Sequence, residues 1–311
     1  MAKIPVFVVH GFLESGKTRF VQETLADDYF SGGERNLVIA CEEGVEEYED
    51  ELLQKTNTTL VVLEDKSEFN EMFLAECQKK YKPTQIIVEY NCMWGLDYLR
   101  EMYMPKGWFV AQVITTVDAT TFDVYLKNMK SLFMEMAKDS DLIIFNRSTD
   151  ETPAATYKRN MRAVNPKAQV VFEKEDGSQL EFEEEMPFDI NADVIEISDV
   201  DYGIWYIDAM DHPEKYDGKT MRFKAMAYTG GRLPKGYFVP GRMAMTCCEA
   251  DMTFLGFICK AREARNLETK QWVKVRAKIA YEFWQDYDGV GPVLYAESVE
   301  PAQEIKEIVQ F

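Results

Sequence analysis

A chain of 311 residues, 46% apolar and 29% charged, has the composition and length of a globular protein of about two domains, which excludes the disordered and fibrous classes. Its 35 Lys and Arg against 54 Asp and Glu leave a net charge of -19. That field repels phosphate backbones and anionic lipid, so nucleic acid is not an expected partner.

The N-terminal MAKIPVFVVHGF has one Lys and a short apolar run, which reads as a strand and not as a signal peptide. No stretch approaches the ~20 apolar residues of a membrane span, so the expectation is a cytoplasmic protein without membrane insertion. Six Cys and two His, without C-x-x-C spacing, make neither a disulfide framework nor a zinc-finger pattern. From residue 3 to about 172, short β-branched runs alternate with helix-length segments. Strands are expected at 4–9, 36–41, 59–63, 85–89, 108–117, 141–145 and 168–172. Runs such as VFVV and LIIF are apolar without alternation, as in strands covered on both faces, and they predict a mostly parallel, doubly wound α/β layer sandwich.

Between about 173 and 201 the sequence becomes acidic, with Gly and Pro and little helical period, and reads as a linker. A short helix is expected over 208–216. Five β-rich runs follow: MRFKAMAY, YFVPGRMAMTC, TFLGFICKA, WVKVRAKIAYEFW and PVLYAESVE. With Gly-rich turns between them, they predict a small closed barrel of OB-like topology. The expected organisation is a phosphate-loop domain at 1–174, an acidic linker at 175–203 and an OB-like barrel at 204–311.

Between the first strand and the first helix stands Gly11-Phe12-Leu13-Glu14-Ser15-Gly16-Lys17-Thr18, which fits G-x-x-x-x-G-K-[ST] in the context that the mechanism needs. The glycines let backbone N–H groups curl around a phosphate, and the helix N-terminus adds a positive dipole end. Lys17 neutralises β/γ oxygens, and Thr18 offers a hydroxyl to Mg²⁺. Arg19 opens the following helix and is counted with the nucleotide contacts, although its side chain is expected to point away. Such a site also needs a strand-end carboxylate for Mg²⁺ or the attacking water. Glu89, ending QIIVE, and Glu42, following NLVIAC, both fall at the carboxyl edge where open α/β sheets bind ligands; Glu89 is the stronger choice. His10 reads as the end of a buried strand, without a role.

GFLESGKT after an apolar strand resembles the phosphate loop of the CobW-type GTPases, a family associated with metal insertion and zinc homeostasis, whose members usually carry GFLGxGKTT. The later landmarks agree in order. CEEGVEEYEDELL resembles the family's acidic switch segment, IIVEYNC its E-x-x-G element, and VDATTF its strand-end Asp and helix. FNRSTD falls where the guanine-reading N-K-x-D belongs, and VNPKAQV resembles the final strand entry. The resemblance covers about 3–175 and implies GTP and Mg²⁺ as ligands, with Asn146 at the purine. Three features depart from it: no C-x-C-C segment occurs between the switch and the E-x-x-G element, Cys92 replaces that element's glycine, and Asn146-Arg147-Ser148-Thr149-Asp150 has Arg for Lys and one extra residue before Asp. HPEKYDGK, GRMAMTCCEAD and the closing ESVEPAQ resemble the OB-like domain of YcgQ-type proteins, bacterial partners of a permease.

Cys247 and Cys248, with Asp251, are a candidate Zn²⁺ set, although neighbours on a strand point to opposite faces and bind one ion only at a bulge or strand end. Buried structural Cys is the plainer reading. Cys41 and Cys92, at strand ends near the phosphates, are a second pair. The acidic run from Glu42 to Glu51 reads as a solvated helix face, and Trp94, Tyr98 and Tyr103 as a core or interface stripe. The leading expectation is a slow GTP hydrolase acting as a switch in metal homeostasis or for an associated permease, with a membrane permease or a metalloprotein client as partner; the alternatives are a non-hydrolysing nucleotide-binding adaptor of a membrane permease and a zinc metallochaperone using Cys247 and Cys248.

Overall fold

All seven expected strands of the first region form, and the order of their apolar runs explains the sheet. They are β1 (Ile4–Gly11), β2 (Asn36–Ala40), β3 (Thr58–Val62), β4 (Gln85–Asn91), β5 (Trp108–Asp118), β6 (Leu142–Asn146) and β7 (Gln169–Phe172). The computed structural model describes residues 3–42, 44–182, 186–231, 233–245 and 252–309. The sheet runs β3-β2-β4-β1-β5-β6-β7, with every ladder parallel. All of β2 and most of β4 are buried, as continuous apolar runs require in a parallel sheet covered on both faces. The connecting helices are α1 (Lys17–Ala26), α2 (Asp28–Ser31), α3 (Asp50–Lys55), α4 (Glu71–Tyr81), α5 (Leu96–Glu101), α6 (Phe122–Asp139) and α7 (Ala154–Val164). From β1 the chain winds first toward β2 and β3 and later toward β5, β6 and β7. The turn after β1 therefore opens at a topological switch point, beside the carboxyl ends of β4 and β5.

The chain divides into two compact units, 1–154 with 164–182, and 155–163 with 183–311. The second unit holds most of α7, with β8 (Val194–Glu196), α8 (Tyr202–Asp211), α9 (Pro213–Tyr216), β9 (Thr220–Tyr228), β10 (Tyr237–Met245), β11 (Met252–Gly256), β12 (Ile258–Lys260), β13 (Trp272–Trp284) and β14 (Gly289–Pro301). Strands β9, β10, β12, β14 and β13 close on themselves through the β10–β9 ladder, and β12 runs parallel to β14. This is the five-stranded barrel of the expected OB-like topology. Part of the stretch expected as linker is built into this unit. Val194–Glu196 pairs with β9, and Ile195 and Ile197 are buried in the barrel core, because the alternation in VIEI supplies a half-buried strand within an acidic composition. The helix expected over 208–216 starts earlier, at Tyr202, where Tyr202 and Trp205 pack on Phe223. Arg242 is buried here. Its guanidinium donates to the Glu307 carbonyl at 2.9 Å and lies 5.7 Å from the rings of Tyr202 and Trp272. Among the described residues, no helix is long and apolar enough to cross a membrane.

Candidate nucleotide site

The loop after β1 is held from beneath by the ends of β5 and β6. Ser15 Oγ meets Thr116 Oγ1 of β5 at 2.8 Å, and the Ser15 carbonyl accepts from Asn146 Nδ2 of β6 at 2.7 Å. Arg147 NH1 donates to the Glu14 carbonyl at 3.1 Å and to Asp118 Oδ2 at 2.6 Å. Asp118 in turn accepts from the Thr120 amide at 2.8 Å. The loop is thus fixed by contacts far apart in sequence, as a preorganised anion site demands.

Two glycines are dictated by this support. A Cβ on Gly11 would lie 2.4 Å from both the Thr116 carbonyl and Ser15 Oγ. Gly16, which caps α1 at φ 88°, would place a Cβ 2.5 Å from Asn146 Nδ2. Both space and backbone region therefore refuse a side chain at Gly16. We expect Gly16→Ala to lower stability by about 1–3 kcal/mol, read as a fall in the thermal unfolding midpoint. Glu14 also lies in the left-handed region, at φ 61°, with a side chain where the usual CobW-type loop has glycine.

Helix α1 starts at Lys17 with no side-chain cap, which leaves its first N–H groups aimed at the loop's mouth. Lys17 is buried. Its Nζ donates to the carbonyls of Phe12 (2.8 Å) and Gly11 (3.2 Å) and is ion-paired with Glu42. Thr18 donates its hydroxyl to Glu89 Oε1 at 2.8 Å, and the other Glu89 oxygen accepts from Tyr48 Oη at 2.5 Å. Burial raises the Glu89 carboxyl above its ordinary range, against the lowering effects of the Tyr48 and Thr18 hydroxyls and of Lys17. Lys17, Thr18, Glu42 and Glu89 line a cleft of about 290 Å³, together with Glu14, Glu46 and Arg147.

The expected set is therefore largely brought together: Gly11, Glu14, Ser15, Gly16, Lys17, Thr18, Glu42, Glu89 and Asn146 share one strand edge. Several expectations are corrected. Arg19, counted with the nucleotide contacts, engages its side chain with Glu23 at 2.9 Å and Glu175 at 2.9 Å, in line with its expected outward direction. Glu42 meets the lysine ammonium and not the Thr18 hydroxyl, which belongs to Glu89. The run from Glu42 to Glu51 is not a single solvated helix face. Helix α3 begins at Asp50, and Glu42 is drawn inward by Lys17. In the aromatic stripe, Trp94 packs on Tyr90 and Phe69 and Tyr98 bonds the Phe69 carbonyl, but Tyr103 is exposed. Tyr48 was not legible as a site residue, since one Tyr in an acidic run carries no signal without the fold.

Asp150 is held by Lys174 at 2.8 Å on the surface, while Asn146 Oδ1 is buried with no hydrogen-bond partner among the described residues. His10 is buried and its pKa is lowered to about 3, chiefly by burial and then by Lys17 and Arg100. It stays neutral, in keeping with a structural role. Burial pushes the Cys92 thiol up to about 11 and the Cys41 thiol higher still, so both are protonated at neutral pH and poor ligands. Among the described residues, no group of three His, Cys, Asp or Glu is placed to hold a metal ion. Cys247, Cys248 and Asp251 lie outside the described residues.

A Mg²⁺·nucleoside triphosphate fits the residues present. The loop leads into a helix start with no side-chain cap, the buried Asn146 Oδ1 has no hydrogen-bond partner among the described residues, and a hydroxyl and a carboxylate stand together in the cleft with the Lys17 ammonium. Residues 172–309 match the DUF1980 C-terminal domain. The UPF0703 protein YcgQ of Bacillus subtilis (strain 168) is 23% identical over 84 residues, 27% of this chain and 30% of that protein, so the chain spans under a third of that relative. Among solved structures, the Zn(II)-bound YjiA GTPase from E. coli shares 17% identity, with a TM-score of 0.44, over 58% of this chain and 60% of that one. The hydrogenase maturation factor HypB from Archaeoglobus fulgidus shares 16% identity, with a TM-score of 0.41, over 57% and 84%. Residues 5–172, more than half of the chain, match the CobW/HypB/UreG nucleotide-binding domain, and the chain belongs to that family.

Proposed function

We propose that the first unit binds Mg²⁺ and GTP at the phosphate loop, hydrolyses the nucleotide slowly, and acts as a switch in metal homeostasis or for an associated permease. The observation that carries this reading is the contact of Thr18 with Glu89. A buried strand-end carboxylate, 2.8 Å from the loop hydroxyl and beside Lys17, is the donor set that a Mg²⁺·triphosphate needs. Thr18 and Glu89 would hold Mg²⁺, which when bound neutralises charge on the β- and γ-phosphate oxygens.

The chain's own groups do the rest. The loop N–H groups and the start of α1 receive the β-phosphate, and Lys17 spans toward the γ-phosphate, where charge develops in the transition state. Glu89, fixed by two hydroxyl donors, is positioned to orient water on the metal side. Asn146 Oδ1 is the acceptor at the purine. The Asp150–Lys174 pair is exposed and therefore weak, so it does not prevent Asp150 from turning to a guanine edge.

Slow turnover follows from the arginines. Arg147 lines the cleft but is spent on Asp118 and the Glu14 carbonyl, and Arg19 is spent on Glu23 and Glu175. A triphosphatase without a free arginine at the γ-phosphate turns over at about 10⁻³ s⁻¹ or less. Single-turnover release of labelled phosphate from bound GTP tests this. Release over many minutes supports a slow switch. Binding without release supports the non-hydrolysing adaptor, a reading favoured by Cys92, whose buried side chain stiffens the turn after β4 where the family has glycine. Turnover in seconds would contradict both. The zinc reading through Cys247 and Cys248 has no support among the described residues.

A further inference from the structure

The segment that follows β2 is tied to the end of the phosphate loop, to the end of β4 and to α1. Glu42 is ion-paired with Lys17, both side chains being nearly buried. Six residues on, Tyr48 donates to Glu89 at 2.5 Å, on the carboxylate that also receives Thr18. The Glu49 amide then donates to Gln22 Oε1 of α1 at 2.8 Å. Between these points the chain lies over the cleft: Gly44, Val45 and Glu46 line it opposite Gly16, Lys17 and Thr18. Val45 is 83% exposed, and apolar anchoring of the segment begins only at Tyr48, which packs against the core of the first unit. The stretch between Glu42 and Tyr48 is therefore held at its start by the ion pair with Lys17.

Glu42 presents a carboxylate to the same ammonium that a nucleotide's β/γ-phosphate oxygens would use. A single ammonium with two backbone carbonyls already on it does not serve both anions. A triphosphate placed beside Glu42 and Glu46 also meets like charge at close range, which costs most where water is excluded. We propose that Glu42 is an internal stand-in for phosphate. A phosphate ligand displaces it from Lys17, and the loss of that anchor frees 44–49, so that occupancy of the loop is expressed as a change in this segment. The inference rests on the nucleotide reading and assigns Glu42 to regulation of that site, leaving Glu89 as its metal-side carboxylate.

The consequence is quantitative. When the competent form is a fraction of the total, apparent affinity is reduced by that fraction. A clasp closed about nine-tenths of the time therefore weakens binding about tenfold. Glu42→Gln keeps the shape and leaves Lys17 its two carbonyl partners, so it opens the clasp without orphaning the ammonium.

The test compares wild type with Glu42→Gln in two measurements. The first is the Kd for a fluorescent GTP with Mg²⁺ and, separately, for inorganic pyrophosphate, which has no base and competes only at the loop. The second is hydrogen exchange of amides 44–49 with no ligand added. The expected result is about tenfold tighter binding of both ligands by Glu42→Gln, together with faster exchange at 44–49 and an unchanged rate in β2 and β4. Equal or weaker binding by the variant, with wild type binding normally, overturns the inference and leaves the nucleotide reading intact. Faster exchange without tighter binding also overturns it, because the clasp would then be structural only. Binding by the variant alone supports the inference in its strongest form. Binding by neither chain overturns the nucleotide reading and this inference with it.

Discussion

Lys17→Ala is expected to weaken GTP binding by on the order of 100- to 1,000-fold, the usual cost of removing one partner of a desolvated charge contact. Lys17 is buried, rests on the Phe12 and Gly11 carbonyls, and points its charge at the loop's mouth. No second cation is free to replace it among the described residues that line the cleft, since Arg147 is engaged by Asp118. The change also deprives Glu42 of its ion-pair partner. Circular dichroism and a thermal melt therefore accompany the titration, so that lost binding is not confused with lost fold. Binding within threefold of wild type by a folded Lys17→Ala protein would show that phosphates are not read by this loop.

Glu89→Gln is expected to leave Mg²⁺-free nucleotide binding nearly unchanged, to weaken the dependence of binding on Mg²⁺, and to slow phosphate release about 100-fold. The amide preserves volume and can still accept from Thr18 or Tyr48, whereas the charge that would face the metal is gone. Glu89 is buried at the end of β4, with both oxygens already claimed by hydroxyls, so few other orientations are open to it. Titration of labelled GTP with and without Mg²⁺, followed by single-turnover release, separates the two effects. An unaltered release rate would remove Glu89 from the reaction and return the assignment to another carboxylate.

The placement of Lys17 and Glu89 at one cleft was legible in the sequence because each is tied to a local pattern. The phosphate loop needs a strand before it and a helix after it, and IPVFVVHG and KTRFVQETLA supply both. QIIVE is an apolar run that ends in a charge, and a parallel sheet places such an end at its ligand edge. The barrel was legible for a similar reason: alternation in WVKVRAKIAYEFW carries its period on its face, and the strand is buried at alternate positions through its first half. What the sequence hides is contact between distant segments. The ion pair of Glu42 with Lys17, the support of the loop by Thr116 and Asn146, and the reach of Tyr48 to Glu89 follow from the order β2-β4-β1-β5-β6. No spacing along the chain encodes that order directly. In an acidic run, moreover, only the fold says which carboxylate turns inward. The strand at Val194–Glu196 was missed for a different reason, since three residues in an acidic, Pro-containing stretch fall below what periodicity resolves.

The account's central claim is that this loop holds a guanine nucleotide with Mg²⁺, and equilibrium binding of labelled GTP to the intact chain tests it most directly. Saturable binding near one GTP per chain, strengthened by Mg²⁺, displaced by unlabelled GTP more readily than by ATP and lost in Lys17→Ala, is the predicted result. No saturable binding of GTP or ATP, or equal binding by the folded Lys17→Ala protein, would contradict it.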